Sequence, residues 1–164
     1  MISKAQFVSG RPHGELHLDH ATGAPRARMN FVDGKLHGRV LFYDRSGRGL
    51  AEQHYVAGKP HGRFRRYDKS GLLLQESHYH LGVRHGPSTT YGESGQVTRR
   101  CSYRLGKLHG EAINYHPNGK VQERARYEKD LLEGEKVSYD RNGEVVSRKE
   151  YQNGRLVKNE SKYK

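Results

Sequence analysis

Apolar and polar residues alternate along this chain in short runs, and no run keeps the three-and-four spacing of an amphipathic helix. Stretches rich in Val, Tyr, Phe and Arg are separated by turn chemistry, the signature of short strands joined by tight connections. An aromatic residue recurs at Phe7, Phe31, Tyr55, Tyr79, Tyr103, Tyr127 and Tyr151, 24 residues apart each time. A second series of tyrosines runs midway, from Tyr43 to Tyr163 in steps of 24, so that aromatics fall every 12 residues with Asp19 the one miss. Six full repeats and a partial seventh, starting at 7, 31, 55, 79, 103, 127 and 151, follow one another without an insertion, which predicts one repeat domain over 1–164.

Counting each repeat from its aromatic, a short turn signal stands at positions 3 and 4 and a longer one, such as "DRSG" or "HPNG", at 14 to 17. Asp first and Gly last fit a type I turn with a left-handed glycine. Strand, turn, strand, turn predicts an all-β fold: an elongated, twisted, single-layer antiparallel meander of 24-residue β-hairpins. About fourteen strands at a spacing of ~4.8 Å would extend over about 60–65 Å.

A two-residue turn at 3–4 pairs position 2 with 5, and 24 with 7 of the next repeat. A four-residue turn at 14–17 pairs 13 with 18, and hence 9 with 22. This register, which needs no bulge, sets Glu15 against Arg28, Arg39 against Glu52, Arg63 against Glu76, Glu111 against Arg124 and Glu135 against Arg148. Where one partner changes sign, so does the other. The apolar face then carries the opening aromatics and a glycine at the eighth place of every full repeat. The opposite face carries the charge pairs, the histidines and the Tyr43 series.

Composition agrees with a thin sheet. Only 32% of the chain is hydrophobic and Trp is absent, too little for a thick core. The lone Cys101 excludes an internal disulfide and reads as a small half-buried side chain. No apolar run is long enough to span a membrane as a helix. No targeting signal stands in the chain as given, so the expected location is cytoplasmic, or periplasmic if a leader is removed.

The net charge of +12 points to anionic partners. Residues 1–78 hold 13 basic and 7 acidic groups and residues 79–164 hold 17 and 11, so each part carries +6 and no basic tail exists. The densest basic patches are Arg63, Arg65, Arg66 and Lys69, and Arg99, Arg100 and Arg104. With Tyr67, Tyr91 and Tyr115 of the second tyrosine series, these arginines are the expected contacts for an acidic protein.

Five histidines, His13, His37, His61, His85 and His109, hold the seventh place, just before the glycine. The register lines up His37, His54, His61, His78 and His85 in a row with neighbours about 5 Å apart. No acid ligands complete a metal shell, and no Ser, Cys or carboxylate recurs with a histidine as a catalytic set would require. The favoured reading is a polar side chain hydrogen-bonded near the tight turn, in a protein that is not an enzyme and needs no cofactor.

The stretch "YRLGKLHGEAINYHPNGKVQERARY" from Tyr103 resembles the MORN repeat, and more closely its bacterial variant, as in the YwqK-type antitoxin family. The resemblance implies interaction rather than catalysis: bacterial members look like antitoxin or immunity proteins that bind a cognate toxin, and eukaryotic ones are linked to phospholipid membranes and scaffolding. The sixth repeat departs from the pattern, with Asp130 in place of Gly and Glu133 in place of His. Four readings follow. The first is an immunity or antitoxin protein that binds a toxin or secreted effector. The others are a peripheral binder of anionic phospholipid, a nucleic-acid binder disfavoured by the paired charges, and an enzyme, which no motif supports.

Overall fold

The computed structural model describes residues 1–161, and Tyr163, the last of the second tyrosine series, lies outside them. Every regular element is a strand, as the alternating pattern requires. The chain forms two compact halves, Met1–Val83 and the residues from Arg84 onward.

The N-terminal half holds β1 (Ile2–Lys4), β2 (Phe7–Val8), β3 (Arg11–Pro12), β4 (Gly14–Asp19), β5 (Pro25–Val32), β6 (Lys35–Leu36), β7 (Gly38–Tyr43), β8 (Gly49–Val56), β9 (Lys59–Tyr67) and β10 (Leu73–His80). Its antiparallel sheet runs β1-β4-β5-β7-β8-β9-β10. β6 pairs with β5, and β2 with β3 forms a small separate hairpin. The C-terminal half holds β11 (Val83–Tyr91), β12 (Val97–Arg104), β13 (Lys107–Leu108), β14 (Gly110–Tyr115), β15 (Val121–Glu128), β16 (Leu131–Tyr139), β17 (Val145–Gln152) and β18 (Arg155–Ser161). These follow the order β11-β12-β14-β15-β16-β17-β18, with β13 on β12.

Both turns have the expected lengths. At the short one, both central residues have positive φ, for example Asp33 at 49° with Gly34 at 77°, and Leu105 at 51° with Gly106 at 82°. That is a type I′ hairpin, whose twist matches the strands on either side. The tips also stack. The Gly34 amide donates to the Pro12 carbonyl at 2.9 Å, Gly58 to Leu36 at 2.8 Å, and Gly154 to Leu132 at 2.9 Å, so each turn is tied to the repeat before it. In the longer turn Gly47 is left-handed at 78°, and its amide donates to the Asp44 carbonyl at 3.0 Å.

The Asp side chain closes this turn. Asp68 Oδ1 accepts the Ser70 amide at 2.7 Å and the Leu72 amide at 2.9 Å. The Ser70 hydroxyl, then the Leu72 amide, hold the Asp68 carboxyl below its ordinary range. A depressed folded value means that the unfolded chain takes up its proton first. The contribution is therefore present above about pH 4 and lost as pH falls through the folded value. The stability difference between the protein and Asp68→Ala should shrink steadily from about pH 5 to about pH 2 in thermal denaturation. A difference that stays constant over that range would contradict this role.

The ladder corrects the bulge-free register. Around the longer turn Arg39 opposes His54 and Leu41 opposes Glu52, so position 9 faces 24 rather than 22. A bulge between Phe42 and Tyr43 shifts the pairing next to the turn. A second irregularity sits at the histidine–glycine step. The short turn pairs Phe31 with Leu36, but farther along the same strands Arg28 pairs with Leu41, two residues out of step. The glycine absorbs that offset by turning left-handed, with φ 80° at Gly38 and 87° at Gly110. It also lies directly opposite the next aromatic: Gly38 faces Tyr55, Gly62 faces Tyr79, and Gly110 faces Tyr127.

An offset of two leaves the faces where the pattern put them. The buried row is position 10 opposite 23: Val40 with Gln53, Phe64 with Ser77, Ser88 with Cys101, Ala112 with Ala125. Val40 and Ser77 are each 1% exposed, the most enclosed side chains described. Small residues suffice because the rings beside them supply the bulk, as where Phe64 meets the edge of Tyr79 at 6.1 Å.

Candidate functional site

The arginines expected to meet a partner divide between the two faces. On the N-terminal half, Arg63 and Arg65 alternate with Phe64 and Arg66 along β9, so Arg66 points away from the other two. Arg65 joins an ion-pair chain: its Nε donates to Glu76 at 2.7 Å and its Nη1 to Glu52 at 3.4 Å. Arg39 reaches Glu52 at 2.5 Å from the other side, and Arg63 approaches Glu76 at 3.8 Å. The bond to Glu76 comes first in holding the Arg65 guanidinium charged, against a desolvation that works the other way. Arg65 stands directly opposite both acids, whereas Arg39 and Arg63 reach them diagonally, within range of a long side chain. Arg63 and Arg65 therefore hold acids of their own sheet. Arg66 is exposed on the opposite face, and Tyr67 lines a shallow groove with Arg39, Leu41, Tyr43 and Glu52.

On the C-terminal half, Arg124 pairs with Glu111 at 3.1 Å and Arg148 with Glu135 at 2.6 Å. The expected pair of Glu15 with Arg28 does not form. Glu15 opposes Asn30 and takes Lys4 at 2.5 Å, while Arg28 takes Asp19 at 2.8 Å. Arg100 differs from its counterparts in the other repeats. It opposes Thr89 and Ile113, has no carboxylate partner among the described residues, and lies over the Tyr115 ring at 5.9 Å. Arg99, the next residue along, belongs to the other face and opposes Thr90 and Asn114. Tyr91, at the turn end of β11, opposes Val97. Arg84 makes a similar stack on Tyr103 at 5.1 Å, and its Nη1 also donates to that hydroxyl at 3.3 Å. Arg100, an exposed guanidinium on an aromatic face with no carboxylate partner among the described residues, is ready to receive one.

The histidines do not form a straight row. The register sets His54 against Arg39 and His78 against Arg63, so each longer hairpin breaks the expected five-ångström spacing. His37, His54, His61 and His78 instead line one open groove of about 490 Å³. His85 belongs to the other half. Among the described residues no three His, Cys, Asp or Glu side chains converge as metal ligands would. His61 packs its ring on His80 at 5.0 Å, a neighbour the spacing alone did not reveal.

The seventh-place side chain instead reaches the short turn of the following repeat. His61 Nδ1 lies 3.5 Å from the Leu81 amide, at the limit of a hydrogen bond, and His13 Nδ1 lies 3.8 Å from the Asp33 carboxylate. The anomalous sixth repeat clarifies the role. There Glu133 Oε2 accepts the equivalent Asn153 amide at 2.8 Å, so Glu does with a carboxylate what His does with a ring nitrogen. Asp130, in a glycine's place at φ 75°, is also compensated, because its Oδ1 accepts the Leu108 amide at 2.7 Å.

Three successive segments, residues 84–104, 108–129 and 132–153, match the MORN repeat variant. They coincide with the repeats of the C-terminal half, and the sheet of hairpins described above agrees with that match. No curated protein matches the chain.

Proposed function

We propose that this chain is a bacterial immunity or antitoxin protein that neutralises a cognate toxin or secreted effector by direct protein–protein binding. On this reading it works without catalysis or cofactor, and its repeats serve as a scaffold for surface chemistry. The observation that carries the reading is the Arg100–Tyr115 stack, an exposed cation 5.9 Å from a ring centre with no carboxylate partner among the described residues. Arg and Tyr are the residue types that dominate binding energy at protein interfaces. The test is co-purification with the product of an adjacent gene and rescue from that product's toxicity. Arg100→Ala should then weaken the complex by about tenfold or more, or roughly 1.4 kcal/mol. Failure to bind any neighbouring gene product would remove the basis for the proposal.

A second reading, a peripheral binder of anionic phospholipid, is favoured by the hairpin tips of the N-terminal half. Val8 is 57% exposed, Val32 39% and Val56 38%, and their ladder partners are Arg11, Lys35 and Lys59. Apolar tips beside cations suit a headgroup layer. Flotation with anionic liposomes at about 0.15 M salt separates the readings, because attraction by charge alone is screened there.

A further inference from the structure

The row of directly opposed residues at positions 10 and 23 is neutral in five repeats: Leu16 with Met29, Val40 with Gln53, Phe64 with Ser77, Ser88 with Cys101, Ala112 with Ala125. In the sixth it is Lys136 opposite Lys149. Two cations thus face each other in the row that elsewhere forms the core. Like charges set directly opposite destabilise a strand pair.

Only one of the two has an acid. Lys136 Nζ reaches Glu123 at 2.8 Å. Burial works against its charge, but the Glu123 hydrogen bond and the nearby Tyr127 and Tyr151 outweigh burial and raise its pKa. Lys149 is half-buried and has no hydrogen-bond or ion-pair partner among the described residues. Towards the longer turn Ser138 stands opposite Ser147, and towards the short turn Gly134 stands opposite Tyr151, so the lysines are flanked by hydroxyl-bearing residues. The site holds two half-buried positive charges, one negative charge and neighbouring hydroxyl groups.

We propose that Lys136 and Lys149 form a docking point for a carboxylate side chain of an acidic peptide segment, on the face opposite Arg100. An incoming carboxylate supplies the missing acid and bridges the two ammonium groups, turning a repulsive pair into a charge-assisted one. Two directly opposed ammonium groups that share a single carboxylate are what favour a partner's carboxylate at this point. A purely structural cluster would carry its own.

The experiment titrates the full chain with hexaglutamate at about 0.15 M salt and measures thermal stability in parallel. Lys149→Met should raise Tm by about 1–3 °C, because the opposed charge is gone. It should also weaken hexaglutamate binding about tenfold. Lys59→Met, which removes the same charge from a hairpin tip of the other half, sets the non-specific baseline. Glu123→Gln should bind the peptide several-fold more tightly while lowering Tm, since the competing carboxylate is removed. Lys149→Gln repeats the test should the methionine variant self-associate. Binding by the Lys149 variants equal to that of Lys59→Met would overturn the proposal, as would no gain from Glu123→Gln. Inorganic phosphate binding as tightly as the peptide would mean an adventitious anion site only, and that result also overturns the peptide assignment.

Discussion

Gly110→Val is expected to destabilise the C-terminal half by about 2–3 kcal/mol. Gly110 sits at φ 87°, where an L-residue costs about 1–2 kcal/mol and a β-branched one more. No atom lies within 4 Å of where a Cβ would be, so the cost is conformational and not a clash. If the backbone relaxes instead, the two-residue offset beyond the short turn is lost and the ladder slips. The last repeat offers an internal comparison. Arg28, Arg100 and Arg124 each oppose the residue 13 places on, Leu41, Ile113 and Val137, whereas Arg148 opposes Glu160, 12 places on. That repeat carries Lys158 where the others carry glycine. A slip of one residue changes which face each side chain takes, and Glu160 accordingly lies opposite Arg148. Urea denaturation followed by circular dichroism measures the effect, and Gly110→Asn should recover part of the loss because Asn tolerates the left-handed region. A valine variant as stable as the original would show that the ladder does not hold this glycine in place.

The second large effect is expected from Arg65→Met, at about 2 kcal/mol. Arg65 bridges Glu52 and Glu76, and Glu52 is 8% exposed, among the more enclosed charged residues described. Removing the bridge leaves Glu52 to Arg39 alone and Glu76 to the more distant Arg63. The double variant Arg65→Met with Glu76→Gln should lose less than the sum of the two single changes, because each single change strands the other's partner. Additive losses would show that Arg65 and Glu76 do not act as a pair. Salt should weaken the effect only modestly, since the pairs are partly buried.

Much of this architecture was legible in the spacing alone. The aromatics fixed the period, the Asp and Gly signals located both turns, and alternation assigned the faces. The ladder offset was not legible, and the charges explain why. Arg39 reaches Glu52 whether it stands directly opposite or two residues away, since both arrangements place the pair on one face and within reach of a long side chain. Sign covariation therefore tests parity, and parity was right, but it cannot distinguish registers that differ by two. The same blindness hid the lysine pair, because Lys136 and Lys149 face each other only in the observed register. It also cost the histidine row its even spacing. The arginine patches were read as contiguous because Arg65 and Arg66, like Arg99 and Arg100, are neighbours in sequence. Adjacent strand residues lie on opposite faces, so each cluster is two surfaces.

The stacked tips make the 24-residue repeat the smallest unit of change this chain can accept. Every short turn after the first finds its carbonyl partner 22 residues upstream, as Gly34 does at Pro12 and Gly154 at Leu132. A whole copy can be gained or lost and each tip still meets an equivalent carbonyl, so tandem duplication is a mutation without a seam. A deletion of any other length within a repeat leaves one amide facing the wrong group. Such a chain can change its length only in whole steps, and each step leaves the bonds between neighbouring tips intact.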